Sequence, residues 1–276
     1  MKKILLIGGH GYLGSNIQKS LDKKFCIINP KNKEKLNILK TTQLHKFINK
    51  DLFCIINLTG QIGKNAYKIN TTGNKNIIKI IKKKKINPLL IFFSTTLVEN
   101  YKKNVLKKKV INNKIDNYAK SKLEGENILK KNYENFLILR VSNVYDEKFK
   151  KKGIFNNIIN SIKEKKILKI SNIHTFRNYI HIKDVTSHLK SILNCPKKNI
   201  SKKILTLANE NYNIKKIVNM FEKKYNKKLQ VINLKIDLNE DYSQKISKSL
   251  LKKNSHGNKH QLMMTIKKYN EQKYFL

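Results

Sequence analysis

Ile4-Leu5-Leu6-Ile7-Gly8-Gly9-His10-Gly11-Tyr12-Leu13-Gly14 is an apolar run that passes directly into a glycine-spaced turn, followed by a helix-like Ser15 to Leu21. Glycines 8, 11 and 14 give G-x-x-G-x-x-G. The first permits a tight turn, the second lets backbone N–H groups approach a pyrophosphate, and the third allows close helix–strand packing. The N-terminal end of the helix dipole favours the anion. A glycine triplet alone can be an ordinary turn, but a strand before it and a helix after it predict a dinucleotide phosphate loop. His10 within the loop is expected to face solvent.

Outward from this loop, short apolar runs alternate with segments long enough for helices. Ile4–Ile7, Phe25–Ile28, Phe53–Asn57, Leu89–Phe93 and Phe136–Leu139 read as strands. Near-continuous apolar strands imply burial on both faces, and strand–helix alternation implies right-handed crossovers. The expected fold class is therefore α/β, a Rossmann-like doubly wound parallel sheet whose ligand sits at the carboxyl ends of the strands. The sheet domain is expected over residues 1–150, with a later return near 172–190, and a smaller, discontinuous C-terminal substrate-binding lobe over 151–276. In that lobe Phe155–Ile167, Val185–Leu193 and Ile214–Tyr225 read as helices and Lys203–Ala208 as a strand. From Leu238 the chain is polar and Lys-rich, and Lys252–His260 has little periodicity, as in a loop.

The 276 residues carry 60 Lys+Arg against 18 Asp+Glu, a formal charge of +42. Such a balance raises nucleic acid as a partner. Against it, the only arginines are Arg140 and Arg177, and the planar fork that reads phosphate and guanine is Arg's, not Lys's. Scattered solvated lysines keep a chain soluble without specifying a partner, so no nucleic-acid partner is expected. Cys26, Cys54 and Cys195 show no paired spacing, and the first two lie in strand-like runs, which fits buried thiols in a reducing compartment. No apolar stretch approaches the ~20 residues of a spanning helix, and the basic start Met1-Lys2-Lys3 lacks a signal-peptide core. The expectation is a cytoplasmic protein with no membrane partner; no metal site is expected either.

A second constellation carries chemistry. Tyr118 and Lys122 stand at i and i+4 of the helix-like Tyr118–Leu129 and share one face. A phenol with a pKa near ~10 is a poor base at neutral pH, but an adjacent ammonium favours its phenolate. In a Lys-rich chain this spacing arises by chance, as Tyr269 and Lys273 show. Ser94-Thr95-Thr96, at the predicted carboxyl end of Leu89–Phe93, gives it context, because a hydroxyl there can bond a substrate alcohol. At the end of the second strand, where a carboxylate usually holds the adenosine ribose, stand Asn29-Pro30-Lys31. Asn29 can still bond a ribose hydroxyl, and Lys31 or Lys33 can attract a 2′-phosphate, so NAD and NADP both remain open.

These motifs resemble the extended short-chain dehydrogenase/reductase superfamily, in particular its NAD-dependent epimerase/dehydratase group, over roughly residues 3 to 220. The resemblance implies cofactor contacts from Gly8, Gly11, Tyr12, Leu13 and Gly14 in the loop, and from Asn29. Asn37-Ile38 takes the place of the family's Asp–aliphatic adenine contact, with Asn in place of the acid. Leu58-Thr59-Gly60 stands where the family has a small-residue motif. Asn70-Thr71-Thr72-Gly73 resembles Asn-x-x-Gly, whose Asn supports the active-site helix and cofactor. Thr95, Tyr118 and Lys122 match the catalytic triad, the last two also touching cofactor. Arg140-Val141-Ser142-Asn143-Val144-Tyr145 resembles Arg-x-x-Asn-x-Tyr, whose Asn contacts substrate. Arg177-Asn178-Tyr179-Ile180-His181-Ile182-Lys183-Asp184-Val185 resembles a stretch whose Arg binds the nucleotide diphosphate. Arg140 also fits a structural ion pair, and His181 and Asp184 fit satisfied structural groups.

By resemblance, Tyr118 removes a proton from a sugar hydroxyl of a nucleotide-sugar, Thr95 bonds the same oxygen, and a keto-sugar results. Epimerisation and ketone reduction both fit. A 4,6-dehydratase does not, because the family's dehydratases follow the catalytic Thr with Asp-Glu whereas this chain has Thr96-Leu97. Glu99-Asn100 also replaces the family's usual Tyr-Gly. A homodimer built on helices around Asn74–Ile81 and Tyr118–Leu129 is expected by the same analogy. Polysaccharide synthesis at the cell surface is the common setting of relatives. Two other classes remain: a noncatalytic NAD(P)-binding module, and a Lys-rich nucleic-acid binder whose affinity would collapse with salt.

Overall fold

The computed structural model describes all residues except 22–23, 32–35, 61–62, 64, 107–113, 150–152, 235–259 and 270–276. Lys33, Lys273 and the polar tail expected beyond Leu238, apart from residues 260–269, lie outside the described residues. In chain order the elements are β1 Lys3–Ile7, α1 Tyr12–Leu21, β2 Cys26–Ile28, α2 Thr41–Phe47, β3 Leu52–Asn57, α3 Ala66–Lys83, β4 Leu89–Thr95, α4 Leu97–Leu106, α5 Lys114–Asn132 and β5 Phe136–Val141. They continue as β6 Asn143–Tyr145, α6 Ile154–Lys163, β7 Leu168–Ile170, β8 Phe176–His181, α7 Ile182–Asn194, α8 Lys197–Ile200, β9 Lys203–Leu207, β10 Glu210–Asn213, α9 Ile214–Tyr225, β11 Val231–Asn233 and α10 Leu262–Lys268.

The chain divides into two units, Met1–Val141 with His188–Thr206, and Ser142–Ser187 with Leu207–Leu276. The first holds a six-stranded sheet in the order β2-β1-β3-β4-β5-β9, and the pairs β1–β2, β1–β3, β3–β4 and β4–β5 are parallel. All six residues of β5 and the first six of β4 are buried, the two-sided burial that continuous apolar runs demand. Isoleucines 77, 78, 80 and 81 of α3, Leu44 of α2 and Leu129 of α5 pack on Leu5, Ile55, Leu90, Phe92 and Ile138 of the sheet. This is the Rossmann-like fold. The chain leaves β1 to one side for β2 and to the other for β3, so the switch point that places ligands in such sheets lies at the carboxyl ends of β1 and β3.

Cysteine burial follows sheet position. Cys54, on central β3, is buried, whereas Cys26 is exposed, contrary to expectation, because β2 is the edge strand; Cys195 is exposed and all three are free thiols.

The second unit holds a three-stranded sheet, β10-β8-β6, and the pair β11–β7. Its core gathers Tyr145, Phe149, Phe155, Ile158, Ile217 and Phe221. The predicted helix 155–167 is shorter than expected: α6 ends at Lys163, Lys165 takes a left-handed φ of 50°, and the chain enters β7. Among the described residues no helix is long and apolar enough to cross a membrane.

Candidate active site

Gly8 has φ +81°, a conformation costly to residues with Cβ, and it turns the chain from β1 into α1. Gly14 lies against Gly9: a Cβ there would stand 2.4 Å from the Gly9 Cα and carbonyl oxygen. The turn role expected of Gly8 and the packing role expected of Gly14 are thus visible in the backbone. Gly8, His10 and Gly11 are exposed, while Tyr12 and Leu13 are half-buried at the start of α1. Gly9, outside the G-x-x-G-x-x-G count, is equally constrained, since a Cβ would meet the Asn29 carboxamide oxygen at 2.3 Å.

Asn29, just past β2, donates through Nδ2 to Gln18 Oε1 at 2.6 Å. Its Oδ1 is buried without a partner among the described residues. Leu58 donates its N–H to the Ile7 carbonyl (2.9 Å), which seats Leu58-Thr59-Gly60 beside the glycine loop. Thr59 is held by Asn57 Oδ1, which accepts from its N–H and hydroxyl; Asn57 in turn donates to Asn74 of α3 (2.8 Å). Asn70, fully buried on α3, donates to Ser121 Oγ of α5 at 2.9 Å, tying the two helices together, and its Oδ1 is a second buried acceptor without a partner. One of these lone carboxamide acceptors, Asn29 Oδ1, lies against Gly9 of the loop, and the other, Asn70 Oδ1, lies by Gly60 near the Lys122 amine; buried acceptors without a donor suit a ligand rich in hydroxyls. Asn37 and Ile38 have local roles: Asn37 Oδ1 accepts from the Leu39 N–H (2.9 Å), and Ile38 is buried in the core, where a Cβ on Gly73 would touch it at 2.8 Å.

Lys122 is 2% exposed. Its Nζ donates to the carbonyls of Thr59 after β3 and of Phe93 in β4, each at 2.8 Å, and lies 4.6 Å from the Phe92 ring centroid and 5.9 Å from that of Tyr118. Thr95 ends β4 two residues after Phe93, and its Oγ1 accepts from the Leu97 N–H at the start of α4. Burial pushes the Lys122 amine down to about 7, opposed by the charge of Glu126, and pushes the Tyr118 phenol up to about 12.

The depressed amine has a thermodynamic consequence. An unfolded Lys keeps its proton to about pH 10.5, so between pH 7 and 10.5 the unfolded chain binds more protons and stability rises with pH. In urea unfolding, the stability of the wild type relative to Lys122→Met should be flat below about pH 7. It should then grow by roughly 5 kcal/mol towards pH 10.5, the shift from 10.5 to about 7 at about 1.4 kcal/mol per unit. A difference that does not vary with pH would place this amine in water.

One residue further from the strand end, Ser94 donates to Glu126 Oε1 at 2.6 Å. Arg140 of β5 grips the same carboxylate with Nε on Oε1 at 2.9 Å and Nη2 on Oε2 at 2.5 Å, and its Nη1 pairs with Glu99 of α4. Arg140 is therefore the structural ion pair allowed by its sequence. Glu126 was not singled out there, although it falls at i+4 from Lys122 and i+8 from Tyr118.

In the second unit, Asn143 opens β6 and donates to the Asn178 carbonyl (2.9 Å). Arg177 lies in β8 opposite Tyr212 of β10, with Nη1 on the Phe176 carbonyl at 3.0 Å. His181 is fully buried, and burial pushes its pKa down to about 4; its Nδ1 accepts the Lys183 N–H and its ring stacks on His260 with centroids 4.2 Å apart. Asp184 is 1% exposed and accepts the backbone N–H and ring nitrogen of His260. Asp184 is thus a satisfied structural group, whereas His181 is satisfied at Nδ1 alone: its Nε2 is buried without a hydrogen-bond partner among the described residues, 3.4 Å from a Glu147 carboxylate oxygen. Thr95, Tyr118, Lys122 and the loop contacts thus belong to the first unit, and Asn143 and Arg177 to the second.

Solved structures share this architecture. RMD from Pseudomonas aeruginosa, complexed with NADPH, is 15% identical over 97% of each chain with a TM-score of 0.76. A dTDP-4-dehydrorhamnose reductase ortholog from Clostridium acetobutylicum is 20% identical over 97% of this chain and 98% of its own, at 0.74. UDP-glucuronic acid 4-epimerase from Bacillus cereus, complexed with UDP-glucuronic acid and NAD, is 21% identical over 97% of each chain, at 0.77. At these identities the likeness establishes the fold. A search of curated proteins by sequence finds no match. A family profile described as the RmlD substrate binding domain, however, matches residues 1–212, most of the chain. The chain therefore belongs to that family, within the extended short-chain dehydrogenase/reductases its motifs resemble.

Proposed function

We propose that this chain is an NAD(P)-dependent enzyme acting on the sugar of a nucleotide-sugar through a keto-sugar, as a reductase or an epimerase. The observation that carries the reading is the Lys122 amine, buried between two carbonyls at the ends of β3 and β4 with the Tyr118 ring beside it. A lysine is buried at such desolvation cost only where its charge is used or its loss tolerated.

The Gly8–Gly14 loop and the first turn of α1 would hold the pyrophosphate, Asn29 Oδ1 a ribose hydroxyl, and Leu58-Thr59-Gly60 with Asn70 the remainder along the strand ends. Asn37 and Ile38 would bound the adenine side. The nicotinamide, when bound, supplies the two-electron chemistry that no side chain can perform. Tyr118 takes the proton from the sugar hydroxyl, or returns it to the ketone, and Lys122 stabilises the phenolate while Thr95 bonds the same oxygen. Asn143 and Arg177 contact the substrate, Arg177 at its diphosphate, where a planar fork suits the ligand. Thr96 is buried and Leu97 is apolar, so neither supplies the acid and base that eliminate water. The chain works as a homodimer in the cytoplasm, the dimer being open to sedimentation analysis.

Titration of NADH and NADPH by fluorescence, followed by incubation with UDP-, GDP- and dTDP-sugars and their 4-keto forms, tests the proposal. Reduced dinucleotide should bind with micromolar affinity, and one sugar should turn over. NMR of the product then separates an inverted stereocentre from a reduced ketone. Tight dinucleotide binding with no turnover of any nucleotide-sugar would make the chain a binding module instead.

A further inference from the structure

The Glu126 carboxylate is fully buried, yet it is not part of the proposed proton transfer. Three donors converge on it: the Ser94 hydroxyl from β4 and two guanidinium nitrogens of Arg140 from β5. Ser94 immediately precedes Thr95, and Glu126 follows Tyr118 and Lys122 by two turns and one turn on the same face of α5. The clamp therefore joins the helix carrying the phenol and amine to the strand end carrying the hydroxyl.

Charge points the same way. The groups around Lys122 are Tyr118 and Glu126 on its own helix, the uncharged Phe92 and Phe93 on β4, Thr59 after β3, Asn70 on α3, and beyond Glu126 the Arg140–Glu99 pair. Glu126 is the anion acting on the amine, and Glu99 offsets part of the Arg140 charge on the far side. Arg140 alone would leave a net cation behind Lys122. The order Glu99, Arg140, Glu126, Lys122 alternates in sign from the half-exposed end to the buried one.

We infer that Glu126 is a positioning residue: clamped by Ser94 and Arg140, its carboxylate fixes the Tyr118–Lys122 face of α5 against the end of β4 and supplies the negative charge that favours the cationic form of the buried Lys122. The catalytic half of this statement rests on the proposed function; the electrostatic half does not. The two are tested separately.

The first test needs no turnover. In the background of Glu126→Gln, which keeps the shape and an acceptor for Ser94, the stability difference between Lys122 and Lys122→Met is measured again against pH. Its lower bend, near pH 7 in the wild type, should move acidward by about one unit, the low end of what an opposite charge contributes nearby. A merely structural Glu126 would lower stability equally at all pH values, and an unmoved bend overturns the inference. If Glu126→Gln does not fold, Glu99→Gln serves: Glu99 is half-exposed, and its loss should shift the bend in the same direction by less, whereas no shift there overturns it. The second test follows the alkaline limb of kcat/KM against pH, set by loss of the Lys122 proton. It should move acidward in parallel in Glu126→Gln, and a wild-type limb in that variant would remove the catalytic half. If the wild type turns over no nucleotide-sugar, the proposed function fails, and the stability bend still decides the coupling.

Discussion

Tyr118→Phe should lower turnover by about 10²–10⁴-fold, the usual worth of a positioned acid–base group, while NADH or NADPH affinity stays at the wild-type level. The change deletes one oxygen and keeps the ring that Lys122 and the surrounding helix face pack against, so folding and cofactor seat survive. The loss should fall on kcat, because the phenol's proton moves only in the transition state. The size of the effect follows from the environment. Burial alone holds the phenol at about 12, so at neutral pH roughly one molecule in 10⁵ would carry a phenolate without help. The amine 5.9 Å from the ring centroid and the bound oxidised cofactor must supply that help. Because ionisation of the phenol is favoured by rising pH while Lys122 must keep its proton to support the phenolate, oxidation of a sugar hydroxyl should accelerate with pH only up to the alkaline limb that loss of the Lys122 proton sets near pH 7, and reduction of a ketone, which needs the protonated phenol, should not. Single-turnover kinetics in both directions measures this. A Phe variant retaining more than a tenth of wild-type turnover would remove Tyr118 from the reaction.

The parts of this site that the sequence announced are those whose chemistry demands a residue type at a fixed spacing. The glycine loop was readable because only a residue without Cβ tolerates the φ of Gly8 and the approach of Gly14 to Gly9. Tyr118 and Lys122 were readable because i and i+4 define a helix face. The central strands were readable because two-sided burial leaves an unbroken apolar run. Asn70, Thr59 and Asn57 are harder: their roles lie in a hydrogen-bonded chain from β3 through α3 to α5, and nothing local in Asn-x-x-Gly tells which partner each carboxamide will meet. Glu126 escaped for a related reason. Its meaning depends on Ser94 and Arg140, 32 and 14 residues away in sequence, although its i+4 spacing from Lys122 was in view. The short polar strands of the second unit, such as Glu-Asn-Tyr-Asn at 210–213, were invisible to periodicity because their residues are half-buried rather than alternately buried and exposed.

Gly14→Ala and Gly11→Ala should separate the packing glycine from the ligand glycine. At Gly14 the added carbon would stand 2.4 Å from Gly9 Cα and oxygen and 2.5 Å from its carbonyl carbon. All three are backbone atoms, so relief requires α1 to move off the loop; overpacking of this kind costs roughly 1–3 kcal/mol. Moving α1 also displaces the N–H groups that would face the pyrophosphate, so dinucleotide binding should fall below detection. At Gly11 the nearest atom to the added carbon is Gly8 O at 3.5 Å, an ordinary contact, and the residue is exposed. The fold therefore tolerates alanine there, and the melting temperature of Gly11→Ala should match the wild type. A phosphate approaching the open side of the loop does not tolerate it, so affinity should drop at least tenfold, about 1.4 kcal/mol. Thermal unfolding without ligand, paired with NADH titration of each variant, reads both effects. If Gly11→Ala bound as the wild type does, the loop would not be the dinucleotide seat; if Gly14→Ala melted as the wild type does, α1 would not rest against Gly9. The Asn29 carboxamide makes the same argument from the other side: Gly9→Ala pushes directly on Asn29 Oδ1, a side chain that can swing away, so it should cost less stability than Gly14→Ala and still weaken binding by displacing the ribose acceptor.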